Sequence, residues 1–381
     1  MNSKLLIITN YNGMWPFAQD LSNELINNGI IVDILDYGKY EFINYNTSKY
    51  SKINNGLDFL NKIPIIKKIY RNILLQFFIK TKIKSLKSSY NTTLVLFHSY
   101  FLNKFAVQIK KSCKILAISY AGSDFYRINS KTKEDNKTLL NYADIITFNN
   151  VQMKNDFIDY YNDYTNKTKI TGFGLKVIDV IEQILLAETI STSKTKLGIH
   201  KDSFVISIGY NASSEQQHLL AINELIKIKS ILPENYLIVF PFTYNNNKLN
   251  YKEELDDILQ TNDLNYLFLT DELSFTDVAR LRIITNIAVN LQTTDQASAA
   301  LLEHLYAKNI VIVGKWLPYN FWDDLGLFSF KINTDELSYK IEYCITHYNE
   351  IKKKCEINSD LIRSAWSWES RINNWINAFE L

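Results

Sequence analysis

The chain is poor in several residues on which common sites depend. It holds 11 glycines in 381 residues, and none are grouped as a P-loop or as G-x-G-x-x-G. Glycine-rich cradles for phosphate are therefore excluded. The three cysteines, Cys113, Cys344 and Cys355, show no metal-ligand spacing, and reduced thiols are expected. His98, His200, His218, His304 and His347 show none either, so no metal site is expected. No window approaches the roughly 18 apolar residues of a spanning helix. Met1–Lys4 runs straight into the apolar Leu5–Thr9. That run is too short for the apolar core of a secretory leader, so a cytoplasmic protein is expected. Acid is missing too: no Asp or Glu occurs between Asp58 and Asp124.

What is present is a globular composition, 46% apolar and 22% charged, with length for two domains. Charge is unevenly spread. Residues 1–175 carry 23 Lys and Arg against 13 Asp and Glu, whereas residues 176–381 carry 19 against 27. The acid-free stretch includes FLNKIPIIKKIYRNILLQFFIKTKIKSLK from Phe59. Proline is tolerated in a helix's first turn, which predicts a helix from Pro64. Ile65, Ile66, Ile69, Leu74, Leu75, Phe77 and Phe78 are its apolar surface, flanked by Lys67, Lys68 and Arg71. Such a helix lies in an anionic membrane surface without crossing it. A basic amphipathic helix of the domain itself is the other reading. Nucleic acid is not an expected partner, because apolar residues interleave the charges and no recognition motif is present.

Strand and helix patterns alternate along both halves. KLLIIT, IIVDILDY, TLVLFHSY (Thr93–Tyr100), KILAISY and DIITFNN read as strands of the first half. Helical patterns lie between them, and KITGFG (Lys169–Gly174) reads as a last strand and hinge. SFVISIGY, NYLIVFPFTY, NYLFLTD, NIAVNLQ and IVIVG repeat the theme in the second half. Alternation of this kind predicts parallel doubly wound sheets, with ligands beyond the carboxyl ends of the strands.

The segment from Asn290, NLQTTDQASAALLEHLYAKNIVIVGKWLPY, carries the most chemistry. A strand leads into a polar turn with Asp295, then a helix from Ala297 to about Ala307 bearing Glu303 two turns on. Ala297, Ser298, Ala299 and Ala300 keep the helix start small, which opens its free N–H groups to an anion. A sugar nucleotide suits that arrangement, with its diphosphate on the amides and acids near its hydroxyls. A plain βαβ crossover, with one acid as a cap and the other solvated, accounts for the pattern equally well.

This segment resembles the donor-site signature of GT-B glycosyltransferases, above all the large retaining group with two acids separated by seven residues. The resemblance implies that Asp295, in place of the usual Glu, lies against the donor sugar and that Glu303 binds the ribose. It places Gln296, Ala297 and Ser298 beside the nucleotide sugar. At Ile206–Leu219 a strand ends at Gly209, followed by Tyr210 and Asn211. The retaining group has Gly-Arg there and a Lys further on, whereas this chain has Glu215, Gln216 and Gln217 in the Lys region. The basic pair is absent, leaving helix N-termini, Arg280, Arg282 or Lys315 to meet the diphosphate. From Ile206 to Gly326, with PFTYNNN at Pro241 and ELSFTDVARL at Glu272, the chain resembles the 4-acetamidofucosyl transferases of bacterial surface-polysaccharide synthesis. Those are GT-B too, but inverting, so the two resemblances imply opposite stereochemistry. Thr270 and Asp271 are implied near the nucleotide base, or else cap the next helix.

In the first half the resemblance puts Gly13, with Asn12, in a β–α turn at the donor phosphate. AGSDFYR (Ala121–Arg127) is similar to the family's His-Gly-x-Asp segment, with Ala121 for the His and Asp124 kept. His98, near a strand end, is implied as sugar ligand or base, and a structural histidine is the alternative. An inverting reaction needs a base within reach of the acceptor hydroxyl, for which His98, Asp124 and Asp20 are candidates.

The expectation is thus an α/β GT-B protein with two Rossmann-like doubly wound domains facing across a cleft. The limits expected are 1–175 for the acceptor domain, 176–360 for the nucleotide-sugar domain and 361–381 for a helix crossing back. The implied activity is hexosyl-type transfer from a nucleotide diphosphate sugar, a co-substrate, to a glycan or lipid-linked glycan of a bacterial surface polysaccharide. No cofactor is implied, and the protein would sit in the cytoplasm, peripheral on the inner face of the membrane. The alternative is a non-catalytic relative that binds sugar nucleotide or acts as a partner subunit.

Overall fold

The structure is a computed structural model that describes residues 3–38, 41–44, 49–52, 80–83, 89–245, 248–295 and 298–381. Most of the basic helix expected from Pro64 lies outside the described residues, as do Gln296 and Ala297. The chain divides into two compact units. One is Met1–Gly174 with Trp368–Leu381 and the other is Leu175–Ser367. Residues 361–367, expected with the final segment, belong to the second unit.

The first unit holds β1 (Lys4–Thr9), β2 (Ile31–Asp36), β3 (Glu41–Asn44), β4 (Lys49–Lys52), β5 (Tyr90–Leu96), β6 (Cys113–Tyr120), β7 (Ile145–Phe148) and β8 (Thr168–Ile170). They form one sheet in the order β4-β3-β2-β1-β5-β6-β7-β8. β3 pairs antiparallel with both β2 and β4 at one edge, and the other pairings are parallel. The helices are α1 (Tyr11–Asn27), α2 (Ala106–Lys110), α3 (Ser123–Tyr126), α4 (Ser130–Leu140) and α5 (Val151–Tyr160). Apolar runs such as KLLIIT are buried almost throughout, as strands covered on both faces must be.

Three boundaries differ from the sequence reading. α1 begins at Tyr11, so Asn12 and Gly13 lie in its first turn rather than in a loop. Pro16 lies inside α1, past its first turn, and so withholds one N–H that an unbroken helix would use. β5 ends at Leu96, and Phe97 turns the chain with φ 63°, leaving His98 beyond the strand. In the second unit, Ser213 caps a single 3-10 turn, and the helix expected there starts only at His218.

The second unit begins with α6 (Lys176–Ala187) and α7 (Ile190–Lys196). Its strands are β9 (Phe204–Ile208), β10 (Tyr236–Pro241), β11 (Tyr266–Leu269), β12 (Thr285–Asn290), β13 (Ile310–Gly314) and β14 (Phe330–Ile332). They are all parallel, in the order β11-β10-β9-β12-β13-β14. The crossovers are α8 (His218–Lys227), α9 (Tyr251–Thr261), α10 (Phe275–Ile284), α11 (Ala299–Tyr306) and α12 (Asn320–Asp324). α13 (Leu337–Thr346), α14 (Tyr348–Cys355) and α15 (Ile357–Trp366) follow. The order reverses between β9 and β12, and loops leaving two such neighbouring strands diverge to open a crevice.

The last helix, α16 (Trp368–Phe379), belongs to the first unit. Trp368, Ile372, Trp375 and Phe379 join the core formed by Leu5, Ile7, Leu21 and Leu25. Phe17 of α1 meets the Trp368 and Trp375 rings at 5.7 and 5.9 Å. The carbonyls of Ala378 and Phe379 accept from Lys169 Nζ and Thr92 Oγ1, each at 3.1 Å. Gly174 has no room for a side chain, since a Cβ there would lie 2.3 Å from the Trp368 ring.

Candidate functional site

The crevice of the second sheet is built by the loops after β9, β12 and β13. β9 ends at Gly209, where φ is 66° and a Cβ would lie 2.8 Å from His218 Nε2. Glycine is therefore required on two counts. His218 is buried among Phe240, Phe242 and Tyr251, and burial holds its pKa at about 3, so the ring is neutral. The next residues turn over the sheet. Tyr210 N–H donates to Gln216 Oε1 at 3.2 Å, and Asn211 Oδ1 accepts from Ser213 N–H at 2.9 Å.

Gln292, in the loop after β12, gathers this cluster. Its Oε1 accepts from the Tyr210 hydroxyl and, at 2.9 Å, from Gln216 Nε2. Asp295 Oδ2 accepts from Tyr319 at 2.7 Å and lies 3.5 Å from the Tyr210 hydroxyl. Tyr319 is fully buried and stacks on Trp322 with ring centres 4.1 Å apart. Burial raises both phenol pKa values, and the Asp295 charge raises them further, so both remain donors. Tyr319 also accepts from the Ser298 backbone N–H. Ser298 caps α11 through Leu301 N–H at 3.4 Å, and Ala299 and Ala300 keep the first turn free of bulk.

One helical turn further on, Glu303 is buried and its Oε2 accepts from Arg282 Nε of α10 at 3.0 Å. Arg282 Nη1 meets His304 Nε2 at 3.1 Å, and Asn309 Nδ2 holds the Arg282 carbonyl at 2.7 Å. Burial pushes the Glu303 carboxyl up, and Arg282 opposes that shift. His304 is held neutral, first by burial and then by Arg282, so its Nε2 can accept the guanidinium proton. Tyr244, after β10, joins the group. Its carbonyl accepts from Ala212 N–H at 2.8 Å. Burial raises its hydroxyl pKa, and its bond to Asn211 lowers it.

Thus Gly209, Tyr210, Asn211, Asp295, Ser298 and Glu303 all stand on the loops and the helix around the switch point. Thr270 and Asp271 are exposed in the loop after β11, and Ser274, not Asp271, caps α10 through Asp277 N–H at 3.1 Å. Arg282 is committed to Glu303, and Arg280 to Glu188 and Asp277 at 2.8 Å each. Neither is left as a free counter-charge. Gln292, Tyr319, Tyr244 and Trp316 escaped the sequence reading. Their shared signal was weak: polar or aromatic residues just beyond apolar strands.

In the first unit His98 and Asp124 meet, but both are occupied. His98 Nε2 faces Asn103 Oδ1 at 3.1 Å and must carry the proton, so Nδ1 accepts from Tyr120 at 2.7 Å. Burial lowers the ring's pKa to about 4, against the effect of Asn103. Asp124 Oδ1 accepts from Ala121 and Gly122 N–H at 3.0 and 2.9 Å, and Oδ2 from His98 N–H at 3.1 Å. Burial raises its pKa to about 6, while these amides pull it down. The carboxylate thus ties the loop after β5 to the loop after β6. His98 and Asp124, expected as proton-transfer groups, thus stand in a network in which Tyr120 engages the His98 Nδ1 lone pair and both Asp124 oxygens accept backbone N–H groups.

Among the described residues no three or more His, Cys, Asp or Glu are placed to hold a metal ion. No helix among them is long and apolar enough to cross a membrane.

No family model and no curated protein matches the chain. Solved structures do. A glycosyltransferase from Rickettsia africae superposes with a TM-score of 0.70 at 13% identity, covering 100% of this chain and 98% of that one. HepE from Anabaena, solved with UDP, gives 0.67 at 13% over 98% of each chain. Sucrose-phosphate synthase from Thermosynechococcus elongatus gives 0.67 at 11%, covering 100% of this chain and 98% of its own. The fold is accordingly the GT-B fold of glycosyltransferases, α/β with two Rossmann-like doubly wound units.

Proposed function

We propose that the protein is a glycosyltransferase that moves a sugar from a nucleoside diphosphate to a glycan or lipid-linked glycan during assembly of a bacterial surface polysaccharide. One observation carries the reading: an acid held by two tyrosines and an acid held by an arginine share the switch point of the second sheet. HepE has been solved with UDP and with UDP-glucose, which supports a nucleotide sugar as donor here. In this reading Glu303 takes the ribose hydroxyls, and Arg282 keeps it ionised despite burial. Asp295, held from behind by the buried Tyr319 and flanked by Tyr210, faces the sugar. The diphosphate lies against the start of α11, where the helix dipole favours negative charge. Turnover then needs no divalent metal. The basic segment after Asp58 rests on the anionic inner face of the membrane, where a lipid-linked acceptor would be found.

A second reading, a protein that binds sugar nucleotide without turning it over, is favoured by the engagement of His98 Nδ1 by Tyr120 and of both Asp124 oxygens by backbone amides. Incubation with UDP-, GDP- and dTDP-sugars separates the two. Release of nucleoside diphosphate supports the transferase. Binding without release supports the second reading, and neither binding nor release removes both.

A further inference from the structure

Trp316 is a large aromatic side chain left 41% exposed, on the loop after β13. Exposed apolar residues are ordinary; this one is also immobilised from two sides. Its indole N–H donates to the Gln292 carbonyl at 2.9 Å. Its six-membered ring packs against Gly314, where a Cβ would come within 2.3–2.5 Å of it. The residue to which it is tied, Gln292, also anchors Tyr210, and Tyr210 and Tyr319 hold Asp295 in the same loop. A rigid, partly open aromatic face therefore stands in the cluster that holds a half-buried carboxylate, Asp295, and a half-buried phenol, Tyr210. That combination suits a pyranose ring, with its C–H face on the indole and its hydroxyls on the oxygens. A nucleobase needs a flat surface too, but Tyr244, 53% exposed, is the aromatic whose hydroxyl feels Arg282 and Glu303.

We propose that Trp316 is the platform for the sugar ring of the donor and contributes to choosing that sugar. The inference rests on reading the second unit as a nucleotide-sugar site. Trp322, Trp366, Trp368 and Trp375 are buried, so Trp316 is the indole of the second unit most open to report a ligand by fluorescence. The full-length protein is titrated with UDP, GDP and dTDP and with the glucose conjugate of each, by calorimetry and by tryptophan emission. For a nucleotide that binds, the conjugate should alter emission beyond the effect of the nucleotide alone. Trp316→Phe should abolish that extra change yet keep the affinity ratio of conjugate to nucleotide. Trp316→Ala should lose the ratio, by roughly two- to tenfold, and leave nucleotide affinity unchanged. Far-UV circular dichroism of both variants checks folding. Equal emission changes for nucleotide and conjugate, or an unchanged ratio in Trp316→Ala, overturns the platform while the nucleotide site stands. Binding of none of the six compounds removes the nucleotide site and the platform with it.

Discussion

The Arg282–Glu303 pair offers the sharpest physical test. Both side chains are buried, and the guanidinium lies 3.0 Å from the carboxylate. Replacing Arg282 by Met keeps most of the volume but leaves a buried carboxylate without its counter-charge. Breaking such a pair typically costs about 3–5 kcal/mol. The loss should depend on pH. Burial already raises the folded-state carboxyl pKa above its ordinary 4.5, and removing the cation raises it further. Between the unfolded and folded values the native state binds more protons, so stability falls as pH rises through that window. At pH 8 the variant should show the loss, reduced wherever the carboxyl takes a proton instead. At pH 4, with the carboxyl largely neutral, about 1 kcal/mol should remain from the lost hydrogen bonds. Urea unfolding followed by circular dichroism at the two pH values measures this. Equal losses at both, or no loss at pH 8, would refute the description of Glu303 as a buried anion held by Arg282.

Trp375→Ala empties a fully buried site between α16 and the first sheet; a destabilisation of about 3–5 kcal/mol is expected in denaturant unfolding. Turnover should persist in EDTA, and full loss restored by magnesium or manganese would contradict a metal-free donor site. Liposome co-sedimentation should need anionic lipid, weaken as salt rises and drop when Lys67, Lys68 and Arg71 become Gln. Equal pelleting with neutral vesicles, or none with either, would remove the membrane proposal.

The central strands of both sheets were legible because they are apolar runs of strand length between polar turns, as KLLIIT and IVIVG illustrate, whereas the short edge strands β3, β4 and β14 carry no such run. Glu303 and Asp295 were legible from spacing and small neighbours. Their partners were not, because Arg282 stands 21 residues from Glu303 and Tyr319 stands 24 from Asp295, on elements that only packing brings together. Tyr319 is also one of 24 tyrosines, so its type carries no signal. His98 illustrates the converse. Its place near a strand end suggested a sugar ligand, a base or a structural histidine, but its protonation is decided by Tyr120 and Asn103, and the use of Asp124 by three backbone amides is invisible without the fold.

Calorimetry of UDP, GDP and dTDP on the wild-type protein and on Glu303→Gln tests the nucleotide site most directly. At least one nucleotide should bind the wild type. The variant, which loses the charge of a charge-assisted hydrogen bond, should bind it roughly ten- to a hundredfold more weakly. No binding to the wild type, or equal affinity for the variant, would contradict the assignment of Glu303 and the switch point of the second sheet to a sugar nucleotide.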